Sequence, residues 1–215
     1  MYDAMSRDAA LIDVGGPIEV LLARVREEHL HVRFILVTHG HIDHILGVRA
    51  IRDCFPEARV CMHEDDFTDL QTVQQWADEN LPEELVAKMR ADPELRKIVE
   101  FDASHFERPG RFLEDGDVLQ VGSHAVRVLH CPGHSRGGLC YAVGDFLFSG
   151  DVLFQGTVGR VDLQNSSRAD QIGSVRRLYR EFPDGTIVHP GHGDSTTIGE
   201  ERVGNARVSE TAVDL

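Results

Sequence analysis

The apolar run Phe34-Ile35-Leu36-Val37 breaks off into Thr38-His39-Gly40-His41-Ile42-Asp43-His44. Four consecutive apolar residues fit a strand buried on both faces, as occurs where helices cover a sheet. The polar segment then lies at the carboxyl end of that strand, where open α/β sheets commonly carry their sites. His39 and His41 are two apart, so on an extended segment they project to one side. Asp43 and His44 follow the bend into a helix and can face the same point. Three imidazoles and a carboxylate suit zinc, and also iron or manganese.

The flanking pattern predicts a layered α/β arrangement. Residues 10–14 read as a short strand closed by Gly15-Gly16, and 17–30 as a helix with Val20, Leu21 and Val25 on its apolar stripe. Ile45, Val48, Ile51 and Cys54 recur at helical spacing, and 58–62 form the next parallel strand. Residues 64–108 are acidic and helical in pattern, broken by Pro82 and Pro93. Leu81, Leu85, Val86 and Met89 offer one apolar face there. This helical insertion either borders the site or is a solvated excursion. From residue 111 the texture becomes β. Residues 118–121 and 125–129 alternate, and Leu139–Val143 and Phe146–Phe148 flank a hairpin turn at Gly144-Asp145. A helix over 172–182, with Ser167 placed to cap it, precedes a last strand at 186–188. One domain, 1–215, accommodates all of this.

Three more ligand candidates each directly follow a predicted strand: His134 in CPGHS, Asp151 in SGD and His192 in HPGHG. Seven ligands are too many for one closed tetrahedral zinc and enough for two open metals.

In these motifs, from Asp13 to the GEER segment, the chain resembles the metallo-β-lactamase superfamily, and within it the short, single-domain glyoxalase II-like (hydroxyacylglutathione hydrolase-like) hydrolases. The resemblance implies an αββα sandwich, α/β (α+β) in class, with two sheets face to face and helices outside. It implies that His39, His41 and His134 bind one divalent metal, that Asp43, His44 and His192 bind a second, and that Asp151 bridges them. Two such ions lower the pKa of a shared water from about 15.7 to about 7, making hydroxide available to attack a carbonyl. Asp43 and Asp151 are then the catalytic carboxylates, and the substrate is a small-molecule thioester of the hydroxyacyl-glutathione type. Asp13 and His189 are expected behind the ligands as hydrogen-bond partners. Arg160, in GTVGRVDL, is open to two roles: holding a substrate carboxylate, or a salt bridge with Asp162 or another acid. Cys131, three residues before His134, is open to a place by the metals or in the core.

Two neighbouring readings share the first motif. A persulfide dioxygenase uses one iron on residues matching His39, His134 and Asp151, with a G-R-x-D loop that GRVD partly matches. A lactonase or other ester hydrolase uses the same water chemistry. His192 in HPGHG favours the two-metal hydrolase. A non-enzymatic module would be expected to have lost ligands, and none is lost.

The bulk numbers narrow the partners. A net charge of -14 repels phosphate backbones and anionic membranes, so neither nucleic acid nor membrane is expected. No apolar run reaches spanning length and no basic, apolar leader opens the chain, so a cytoplasmic protein is expected. Four cysteines without a C-x-x-C pair read as reduced thiols. Relatives begin with a strand or hairpin ahead of the one at 10–14. The chain therefore reads as shortened there, with an exposed sheet edge. The helical domain with which full glyoxalase II enzymes hold glutathione is not expected after His192.

Overall fold

The computed structural model describes residues 1–208, apart from the side chains of 73–80, 94, 98 and 104; residues 209–215 of the expected domain lie outside the described residues. Four parallel strands form the first sheet in the order β1 (Asp8–Ile12), β2 (His31–Leu36), β3 (Arg59–Met62) and β4 (Arg111–Phe112). Helices α1 (Ile18–Glu27), α2 (Ile42–Ile45) and α3 (Val48–Cys54) connect the first three. Helices α4 (Glu64–Asn80), α5 (Glu83–Ala91) and α6 (Pro93–Val99) separate β3 from β4.

The second sheet takes β5 (Val118–Val121), β6 (His124–His130), β7 (Leu139–Val143), β8 (Phe146–Gly150), β9 (Ile187–Pro190) and β10 (Thr196–Thr197), in the order β10-β9-β8-β7-β6-β5. Its pairs are antiparallel except β8 with β9, which α7 (Arg168–Glu181) connects. Helix α8 (Ile198–Gly204) follows β10.

Three apolar layers hold this four-layer sandwich together, and the period-2 alternation of the strands assigns each side chain to one of them. Ile35 and Val37 face α1 and α3 in the outer core of the first sheet. Phe34 and Leu36 turn the other way, against Val126, Val128 and Tyr141 between the sheets. Cys140 and Ala142 face outward again, against Val175 and Leu178 of α7. Two bonds lock the sheets together next to Thr38: the buried Tyr141 hydroxyl donates to the Val37 carbonyl at 2.6 Å, and the Leu139 amide to the Thr38 carbonyl at 2.8 Å.

Ser167 caps α7 by accepting the Asp170 amide, as expected. Three elements were not legible in the sequence: two-residue β4 and β10, too short to show a period, and α8, which begins with a Thr197–Glu200 capping box. The single helix expected over 45–54 is two: the Gly47 amide donates to the Val14 carbonyl at 2.7 Å instead of continuing the α2 ladder, and a β-carbon there would lie 2.7 Å from the Val14 and Ile18 side chains. Of the stripe on α5, Leu85 is exposed while Leu81, Val86 and Met89 are half-buried. The outer edge of β1, expected bare, is covered by the chain's own first residues: Tyr2 bridges Ala9 antiparallel, and Met1 and Ala10 exchange two bonds of 3.0 Å. No described helix is long and apolar enough to cross a membrane.

Candidate metal centre

The site is assembled from the carboxyl ends of strands in both sheets. Asp13, just after β1, has a positive φ of 50°, a conformation that Asp tolerates better than most residues. Its carboxylate accepts the Thr38 amide and the Thr38 hydroxyl, each at 2.7 Å, and faces His44 Nδ1 at 2.9 Å. A carboxylate only accepts, so His44 carries a proton on Nδ1 and directs Nε2 inward. The Thr38 hydroxyl proton is committed to Asp13. Its oxygen therefore accepts from His39 Nδ1 at 3.0 Å, which leaves Nε2 of the neutral His39 ring as a lone pair.

The third histidine is oriented the same way from the other sheet. His134 Nδ1 donates to the Arg160 carbonyl at 2.8 Å, and the His134 amide donates to the buried Gln171 side chain of α7 at 2.8 Å. Gln171 also donates to the carbonyls of Asp151 and Val152, so one side chain ties α7 to two site loops. Glycine is required at several points of the site, Gly150 and Gly191 among them. Gly150 has a φ of 50° and lies against Thr38, and a β-carbon on Gly191 would overlap Asp151 Oδ1 and come within 2.6 Å of His44 Cε1.

All seven ligand candidates converge. His41 Nδ1 and His134 Nε2 are 2.8 Å apart, and His44 Nε2 and His192 Nε2 are 3.2 Å apart. Asp43 Oδ2 lies 3.2 Å from His192 Nε2. Asp151 stands between the two groups, with Oδ1 3.4 Å from His44 Nε2 and Oδ2 3.4 Å from His134 Nε2. The donor atoms form three overlapping triplets, each within 4.8 Å: His39–His41–His134, His39–His44–Asp151 and Asp43–His44–His192.

Two observations fit this set to cations. His39 Nε2 and Asp151 Oδ1 are buried without a hydrogen-bond partner, a costly state for polar atoms unless something else binds them. Burial and the crowd of imidazoles also keep His39 well below the ordinary histidine range, and bring His41 down to about 4. Both are therefore neutral lone-pair donors at pH 7. For His44, burial acts downward but is outweighed by Asp13, Asp151 and Asp43, so its pKa rises. Burial raises the Asp151 carboxyl, partly offset by its histidine neighbours.

The remaining expectations divide. Asp13 lies 2.9 Å from His44 Nδ1. His189 is not a partner of the ligands: its Nδ1 pairs with Ser195 at 2.8 Å and its ring stacks on Phe146 and Phe148, because β9 points it away from the strand ends. The Arg160 guanidinium is paired with Asp162 at 2.7 and 2.9 Å, and Arg160 serves the site through its carbonyl. Cys131 is buried in the outer core of the second sheet with Cys140, not beside the ligands. Thr38, Gln171 and Asp66 were missed. Asp66, 2% exposed, accepts the Gly40 amide (2.9 Å), the Ser135 hydroxyl (2.8 Å) and the Gly137 amide (2.6 Å), clamping the His41 and His134 loops together. Its one sequence signal was its place just behind β3. That signal was hidden by Glu64 and Asp65, which read as ordinary first-turn acids of a helix.

A cleft of about 900 Å³ opens onto these residues, its apolar lining including Leu70, Leu81, Met89, Phe154, Val158 and Leu163.

A two-sheet α/β sandwich with seven convergent nitrogen and oxygen donors at its strand ends has the donor set of a divalent-metal site. The chain belongs to the metallo-β-lactamase superfamily, whose profile matches residues 6–192. It is 31% identical to "Hydroxyacylglutathione hydrolase GloC" of Haemophilus influenzae, covering 93% of this chain and 86% of that one. Among solved structures it resembles TTHA1623 in a di-iron-bound form (32% identity, TM-score 0.70, covering 90% of this chain and 86% of that one). It also resembles ETHE1 from Myxococcus xanthus (28% identity, TM-score 0.73, covering 97% and 77%).

Proposed function

We propose that the chain is a dinuclear metal-dependent hydrolase that cleaves a small-molecule thioester of the hydroxyacyl-glutathione type. His39, His41 and His134 would hold one ion, Asp43, His44 and His192 the other, and Asp151 both. Two divalent ions bound there supply a Lewis acid for the carbonyl and hydroxide at neutral pH. Zinc, iron and manganese all suit this ligand set. The di-iron form of TTHA1623 supports iron beside zinc.

The chain's residues make that chemistry directional. Asp13, Thr38 and the Arg160 carbonyl fix the protonated nitrogens of His44, His39 and His134, so that no ring reorganises on binding. Asp43 lies at the cleft with its side chain 44% exposed, placed to orient water and take up a proton. Helices α4 and α5 of the 64–108 insertion border the cleft.

The observation that carries the reading is His192 at 3.2 Å from both His44 and Asp43. A one-iron persulfide dioxygenase would use His39, His134 and Asp151 and leave those three residues without a task. The GloC relative supports a thioester substrate. Metal analysis combined with anaerobic hydrolysis of S-lactoylglutathione tests the proposal. Two equivalents of metal and oxygen-independent cleavage are expected. One iron, with oxygen consumed on glutathione persulfide, overturns it.

A further inference from the structure

The cleft walls bear on which thioester is taken. The apolar lining comes from two stretches of chain: Leu70 and Leu81 of the α4–α5 region with Met89 of α5, and Phe154, Val158 and Leu163 of the 154–163 loop. Phe154 joins the second stretch to the metal centre, its ring centroid 6.1 Å from that of His192. Charge is distributed against an anionic substrate. Among the described residues lining the cleft, Arg160 is the one arginine or lysine, and Asp162 already binds it through two hydrogen bonds. Arg136 lies nearby but grips Asp69 through two bonds of its own. The stretch 64–87 contains no lysine or arginine at all. Asp43, Asp66 and Asp69 add negative charge to the lining. A glutathione leaving group brings two carboxylates, which are normally met by uncommitted cations.

We infer that the substrate is recognised through an apolar acyl chain lodged between the α4–α5 wall and the 154–163 loop, with little recognition of the thiol. This rests on the thioester-cleavage part of the reading above and departs from it at the thiol, which need not be glutathione. Among the described residues lining the cleft, the one arginine or lysine is already paired with Asp162, so binding specificity falls to the acyl side. There each buried methylene strengthens binding through the hydrophobic effect, about fourfold per group. The apolar face of the insertion, with its half-buried Leu81 and Met89, thereby acquires a role that a solvated excursion would not have.

The test uses the metal-loaded full chain and N-acetylcysteamine thioesters of acetyl, butyryl, hexanoyl and octanoyl groups. Expected is a rise in kcat/KM on the order of a hundredfold from butyryl to octanoyl. At fixed acyl group, glutathione and N-acetylcysteamine thioesters should differ by less than about threefold. Binding is read separately by calorimetry with S-alkyl-N-acetylcysteamine thioethers, which cannot be cleaved; affinity should climb with chain length. Met89→Gln and Leu163→Gln, each at a partly solvated position, should lower the octanoyl rate about tenfold more than the acetyl rate.

A flat series in rate and binding, with lactoyl-thioester cleavage intact, overturns the inference and leaves the hydrolase reading standing. So does a tenfold preference for the glutathione thioester. Failure of the two-metal protein to cleave any thioester overturns both.

Discussion

Replacing Asp66 with alanine tests whether the ligand loops are held from behind. The carboxylate receives three hydrogen bonds, two from backbone amides and one from the Ser135 hydroxyl, in a position with almost no solvent. Removing it leaves two buried N–H groups and one hydroxyl without their acceptor. At about 1–3 kcal/mol for each stranded donor, and allowing the hydroxyl to rotate to another partner, the loss is about 3–5 kcal/mol. In a chain of this length that lowers Tm by about 6–20 °C. Asp66→Asn should be milder, because its amide group must face either Gly137 or the Gly40–Ser135 pair and loses one or two bonds. Ser135→Ala removes a single bond and should cost about 1 kcal/mol. Gly40 lies between His39 and His41, and Gly137 follows His134 by three residues, so slack here should also weaken metal affinity by about ten- to a hundredfold. Thermal unfolding read alongside a competitive chelator titration measures both effects. If Asp66→Ala unfolds within 2 °C of the parent and holds metal equally well, the clamp does not exist.

Three further outcomes are expected. Gly191→Ala, at an exposed turn, should stay folded by circular dichroism yet lose at least tenfold in hydrolysis, because its β-carbon would overlap Asp151 and crowd His44; undiminished activity would show that the turn yields freely. Ser167→Ala removes the α7 cap and should cost about 1 kcal/mol, a Tm drop of about 2–4 °C in calorimetry. Of the four cysteines only Cys54 is exposed, so a thiol reagent should titrate one group in the native chain and four after unfolding; rapid native reaction of Cys131 would contradict its place in the core.

Much of this was legible from local pattern. Phe34–Val37 announced a strand covered on both faces, and its side chains do divide between the outer core and the space between the sheets. The ligand candidates were readable because each stands directly behind a strand in a motif with fixed spacing, and the fold brings those strand ends to one edge. Long-range geometry was less accessible. His189 and His192 share one segment, but β9 turns the first onto Phe148 while the turn after it carries the second to His44. Asp66 and Gln171 act across 71 and 37 residues of chain, and nothing in their local surroundings marks the partners. Arg160 carried two readings, and the structure gives its guanidinium to Asp162 and its carbonyl to His134.

The central claim is that the seven donors form two metal positions rather than one. The most direct measurement is metal content of the purified chain by mass spectrometry, beside His192→Ala. Two equivalents in the parent and one in the variant are expected, since His39, His41, His134 and Asp151 remain. One equivalent in both, with unchanged activity, would contradict the account.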